Sequence, residues 1–162
     1  MDQRFDRRSK EQFKKDIKDS TREQSVILRS WLFSINSAAL VFDYGSDNSG
    51  EYISDAHQVN SDPDYCIEGH GLVEVQYSNT WCKKYFHIKR GKILTCVSQD
   101  AKILMVNGWQ QDNPVWTVIT PGQCRVIAAR FNIVSWYGGG SKDSHKVPID
   151  WFQWKKFKKI LK

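Results

Sequence analysis

The sequence predicts an α/β fold, a mixed central sheet flanked by helices, and three observations carry that prediction. Ala101–Val106 and Val115–Ile119 are nearly continuous apolar runs, as expected of strands covered on both faces. Helical signals lie on either side of the strand-rich middle: Val26, Ile27, Trp31, Leu32 and Ile35 recur at the period of one helix face, and Thr120-Pro121-Gly122-Gln123 has the residues of a helix start. A helical stretch also separates the strand that contains Glu74 from the 102–106 strand. Such a crossover makes those two strands parallel, with a right-handed connection.

Taken in order, residues 1–19 alternate charge signs around few apolar anchors, with Ser9 and Gln12 spaced to cap a short helix. Ser20-Thr21-Arg22-Glu23 has capping-box spacing, so the first main helix is expected at about 21–35. Ala39–Tyr44 reads as a strand, and 45–62 as a Gly-, Ser-, Asp- and Asn-rich loop with an irregular strand near Glu51–Ile53. Pro63 opens two short strands around the turn Gly69-His70-Gly71, where its missing N–H does least harm. Lys83–Ile88 is ambiguous between strand and turn, and 88–99 reads as a short helix. The two buried strands and a helix over 121–131 complete the order α-β-β-β-α-β-β-α. Gly138–Gly140 reads as a hinge. Beyond it Trp151, Trp154, Phe157, Ile160 and Leu161 would form the apolar side of a basic amphipathic helix, free to dock on the domain, lie in an interface or touch DNA phosphates.

The length of 162 residues fits one domain with its own core. A core at about 20–131 and a basic aromatic extension at 141–162 are expected within it. The net charge of +6 fits a polyanionic partner. Cys66, Cys82, Cys96 and Cys124 lack the close-pair spacing of a zinc site and read as free thiols of a reducing compartment. No apolar leader or membrane-length run stands in the sequence, so an intracellular, soluble protein is expected. His57, His70, His87 and His145 are dispersed without ligand spacing, and His70 reads as a turn residue.

The stretch Pro63–Gln76 carries the chemistry. Strand alternation turns Val73 and Val75 to one side and Leu72, Glu74 and Gln76 to the other. A carboxylate on an apolar sheet face is costly unless compensated, and a divalent cation is one compensation. Asp64 at the start of one strand and Glu74 on its hairpin neighbour can converge on one ion. The Val75 carbonyl is a further candidate ligand. Magnesium takes such hard oxygen ligands, with water completing its shell. Asp64 after Pro63 would equally serve as an ordinary turn residue.

Pro63-Asp64 followed by Glu74-Val75-Gln76 resembles the PD-(D/E)XK signature of restriction-endonuclease-like nucleases, and the small homing and junction-resolving nucleases are similar in size and layout. The resemblance covers roughly 20–131. It implies a restriction-endonuclease-like core, Asp64 and Glu74 (with Val75) as ligands of Mg²⁺ or substituting Mn²⁺, and Glu23 as the additional acid many members carry on the preceding helix. Glu23 also stands where it would close a capping box on Ser20. The motif's lysine position is Gln76, whose amide can orient water or a phosphate oxygen but brings no charge. Lys89 is the expected substitute, with Lys83, Lys84 and Lys92 open. The function so implied is a metal-dependent endonuclease acting on double-stranded DNA, of homing type, as a homodimer or higher homo-oligomer. A junction-resolving nuclease, a non-catalytic nucleic-acid-binding module and a structural interaction protein are the rival readings.

Overall fold

Ser9 does cap a helix, its hydroxyl accepting from the Gln12 N–H at 3.1 Å, but the helix is long: α1 runs Lys10–Ser34. The Ser20–Glu23 spacing therefore lies inside a helix already begun. The computed structural model describes residues 9–45, 62–136 and 142–162. The strand expected near Glu51–Ile53, the Gly138–Gly140 hinge and residues 1–8 lie outside them. After α1 the chain turns at Asn36, which takes a positive φ of 56°. The following strands are β1 (Val41–Asp43), β2 (Tyr65–Ile67), β3 (Gly71–Ser78) and β4 (Tyr85–Lys89). Gly69 and Gly71 have φ of +74° and +77° in the β2–β3 turn, a backbone region that suits glycine.

Helix α2 (Arg90–Gln99) leads to β5 (Lys102–Asn107), β6 (Val115–Ile119) and α3 (Pro121–Arg130). The Thr120 start is a complete capping box: Thr120 accepts from the Gln123 N–H while the Gln123 side chain accepts from the Thr120 N–H. Strands β7 (Ile133–Trp136), β8 (Lys142–Pro148) and β9 (Lys155–Lys156) follow, with a 3₁₀ turn at Ile149–Trp151.

The main sheet has six strands in the order β1-β2-β3-β5-β6-β9. Strands β3 and β5 are parallel and the other pairs antiparallel, so the sheet is mixed as expected. The crossover from β3 to β5 contains β4 as well as α2. Odd-numbered β3 residues, Val73 and Val75, join Leu104, Val106 and the α1 residues Ile27, Leu28, Trp31 and Leu32 in one core. On the other face Ile103, Met105 and Ile119 meet Ile93 and Cys96 of α2 and Cys124 and Ile127 of α3. A second, three-stranded sheet in the order β4-β8-β7 closes this layer through Phe86, Ile88 and Val147. Helices thus flank the sheet on both sides.

The end of the chain is not a helix. Trp151, Phe152 and Trp154 pack into the α2–α3 core, then β9 adds to the sheet edge, and Phe157 and Ile160 pack into the α1 core. Ser34 Oγ accepts from the Lys158 N–H at 3.0 Å, and Ser30 Oγ from the Leu161 N–H at 2.9 Å. The docking alternative, in extended form, is the one the chain adopts. Among the described residues no helix is long and apolar enough to cross a membrane.

Candidate functional site

The ladder between β2 and β3 ends at Tyr65–Val73, and the chain then leaves the sheet at Asp64. Val75 needs another acceptor for its N–H. Asp64 supplies it: Oδ2 accepts from Val75 N–H at 2.9 Å. The Asp64 carbonyl in turn accepts from Tyr44 N–H at 3.0 Å, fixing its backbone against the end of β1. Two residues earlier, Asp62 Oδ1 accepts from the Gln99 side-chain amide at 2.6 Å, which ties this segment to the last turn of α2. In a strand the N–H and C=O of one residue point to the same edge, so the Val75 carbonyl faces the Asp64 side of β3.

Glu74 lies one residue back in β3 and points to the α2 face, where it is 3 % exposed. Its Oε1 is 2.8 Å from Lys92 Nζ, on the first turn of α2. Its Oε2 is buried with no hydrogen-bond partner. Burial pushes the Glu74 carboxyl up from 4.5 to about 8, the Asp64 charge adds in the same sense, and Lys92 pulls the other way. Two carboxyl groups therefore stand close together in a dry setting, one of them paired with the Lys92 ammonium. Behind them on α2, the Cys96 thiol is pushed up to about 12, first by burial and then by Cys124 and Glu74, so it stays protonated and is a poor nucleophile.

The structure brings together Asp64, Glu74 and the Val75 main chain. Gln76 lies two residues beyond Glu74 on the same face, half-buried and opposite Met105. Two expectations change. Lys92, not Lys89, meets Glu74, because Lys89 is the last residue of β4 and strand alternation sets it beside Tyr85 and His87 on the outer face of the small sheet. Lys83 and Lys84 are exposed in the loop before β4. Glu23 is also elsewhere. Its carboxylate accepts from the Trp109 indole N–H, and its charge bears on Tyr77, on the α1 face of the sheet. Glu74 points to the opposite face, so Glu23 does not join the site. Gln99, which holds Asp62, is the residue that the sequence reading missed; only its tertiary hydrogen bond reveals it.

No cluster of three or more His, Cys, Asp or Glu suited to a metal ion occurs among the described residues. The donor set instead consists of two carboxylates and a main-chain carbonyl, all oxygen. That is a fit for magnesium, which commonly keeps several waters and takes one or two protein carboxylates. The orphaned Glu74 Oε2 is the observation that favours such a cation. No protein-family model, curated protein or solved structure matches this chain.

Proposed function

We propose that this protein is a Mg²⁺-dependent endonuclease that hydrolyses phosphodiester bonds in double-stranded DNA, with a restriction-endonuclease-like core. The observation that carries the reading is the pair Asp64–Glu74, buried at the point where β2 leaves β3, with Lys92 on Glu74 and one Glu74 oxygen unsatisfied. The order helix, three strands of the main sheet, then β4 and a helix, then a strand parallel to β3 adds support, since apart from the inserted β4 it is the layout in which the PD-(D/E)XK signature works.

In this reading Asp64, Glu74 and the Val75 carbonyl hold the metal, which when bound supplies an activated water and neutralises charge on the phosphate oxygens. Asp64 is kept in place by the Val75 N–H and Glu74 by Lys92. Lys92, 23 % exposed along its side chain, is close enough to the solvent edge to stabilise negative charge developing on the phosphate. Gln76 orients water or a phosphate oxygen through its amide. A homodimer, acting inside the cell, would bring two such sites to the two strands.

The test is nicking of supercoiled and linear DNA in Mg²⁺, Mn²⁺ or EDTA. Wild type should cut with either ion and not in EDTA, and Asp64→Ala and Glu74→Ala should bind DNA without cutting it. Undiminished cutting by both variants would sink the assignment. The carboxyl of Glu74, raised to about 8 and so protonated at neutral pH without a metal, favours a second reading, a nucleic-acid-binding module without catalysis. Binding by wild type with no cutting in any divalent cation would establish it.

A further inference from the structure

The three-stranded sheet has an outer face that the site does not use. Along β4 the side chains alternate: Phe86 and Ile88 turn inward at 5 % and 0 % exposure, while on the other side Tyr85 is exposed and His87 and Lys89 are half-buried, Lys89 standing opposite the buried Ser144. On the neighbouring β8, Val147 is inward and Lys146 outward and exposed. The register sets Lys146 opposite His87 and two pairs from Tyr85, its diagonal neighbour on the same face. Lys146 Nζ lies 4.2 Å from the centroid of the Tyr85 ring, a cation–π contact that holds the ammonium over an exposed aromatic face. The His87 imidazole is lowered by its burial and by the Lys146 charge, a further sign of how closely these groups sit.

The sequence behind this face is one-sided. Residues 83–99 contain Lys83, Lys84, His87, Lys89, Arg90 and Lys92 and no Asp or Glu. The run also has a direction. From Tyr85 to Lys89 the strand covers about 13 Å at ~3.3 Å per residue. Arg90 then opens α2, and Lys92 follows on Glu74. In sequence the cations of the outer face thus continue directly into the first turn of α2.

We propose that the outer face of the β4–β8 pair, centred on Tyr85, His87, Lys89 and Lys146, is the surface that holds the phosphodiester backbone of duplex DNA beside the site. This rests on the nuclease reading for what the site does with the DNA, but not for the binding itself. The match is one of charge: cations on a strand ladder, no carboxylate in the β4 half of it, and an aromatic ring that fixes one of the cations; the nearest acid on β8 is Asp143, three residues from Lys146 and of the opposite strand parity. A span of ~13 Å covers about four nucleotides of one strand at 3.4 Å of helix rise each. The rival basic surface is the chain end with Lys155, Lys156, Lys158, Lys159 and Lys162. It packs along α1, on the sheet face away from Glu74, and there Lys158 is bonded to Asn36 and Lys155 sits over Trp116.

The test uses the full chain and a fluorescent DNA duplex, with binding followed by anisotropy in Ca²⁺ over a range of salt. Lys146→Glu should weaken binding about tenfold or more at low salt and lower the slope of log K against log salt by roughly one. Tyr85→Ala should weaken it less. Lys159→Glu should leave it within about twofold of wild type, as a charge change away from the contact. Equal losses for Lys146→Glu and Lys159→Glu, or none for Lys146→Glu, would overturn the proposal, and so would competition by polyglutamate as strong as by unlabelled DNA. Duplex binding that depends on Lys146 without cutting in Mg²⁺ overturns the nuclease reading alone. Cutting that persists with Lys146→Glu binding unchanged overturns the surface alone.

Discussion

Glu74 has one oxygen on Lys92 and no donor for the other, and its carboxyl lies within hydrogen-bond reach of Asp64 in a place almost closed to water. The folded protein keeps a proton on this carboxyl, raised to about 8, after the unfolded chain has released its own near 4.5. Metal-free stability should therefore fall as pH rises through that window. Glu74→Gln removes the titration. It is expected to flatten Tm against pH between 5 and 8 in EDTA. Thermal melts of the two proteins in EDTA check this, and an unchanged slope counts against it. Lys92 gives a second prediction. Lys92→Ala should cut DNA cleavage about 100-fold or more, as loss of one charge-stabilising group does. Lys89→Ala should act on binding instead. Single-turnover rates at saturating DNA separate the two.

At the scale of elements, the loop from β3 to β4 is held from beneath by β5. Asn107 is buried and pairs with Cys82 as a strand would, accepting from its N–H at 2.9 Å and donating to its carbonyl at 3.0 Å. Next to it Gly108 has φ of +70°, and a Cβ there would stand 2.7 Å from the Trp81 ring. Gly108→Ala thus meets both backbone strain and a clash. It should destabilise by about 1–3 kcal/mol and push Trp81 outward, seen as a red shift of tryptophan fluorescence. The same scale shows what the sequence makes legible. β6, α3 with its cap, and the β2–β3 hairpin carrying Asp64 and Glu74 follow from local signals, and the structure has them where the pattern predicts. The strand β4 is hard to read because only its partner β8 turns Phe86 and Ile88 into one buried face. The ion pair of Lys92 is a tertiary fact, invisible in a run where four lysines lie within ten residues. The chain end misleads for a physical reason. Trp151 and Trp154 are at helical spacing from Phe157 and Ile160, but an extended chain passing around the sheet edge buries the first two in one core and the last two in the other.

For the molecule as a whole, that passage makes the chain end a brace between layers. Removing residues 157–162 would uncover Trp109 and Trp116, which Phe157 contacts at ring-centroid distances of 5.8 and 6.5 Å, and would leave Ser30 Oγ and Ser34 Oγ without their backbone donors. The truncated protein should be about 2–5 kcal/mol less stable in urea, the usual range for deleting a large buried aromatic contact. Cleavage below its transition should survive, because the carboxylate pair is on the other face. The brace also sets an order on synthesis. The contact between Ser30 and Leu161 spans 131 residues, so a ribosome working at roughly 5–20 residues per second makes α1 on the order of ten seconds before its clasp. During that interval the apolar stripe of α1 has only the sheet to cover it, and the nascent chain is open to chaperones and proteases at α1 until the segment around Leu161 arrives.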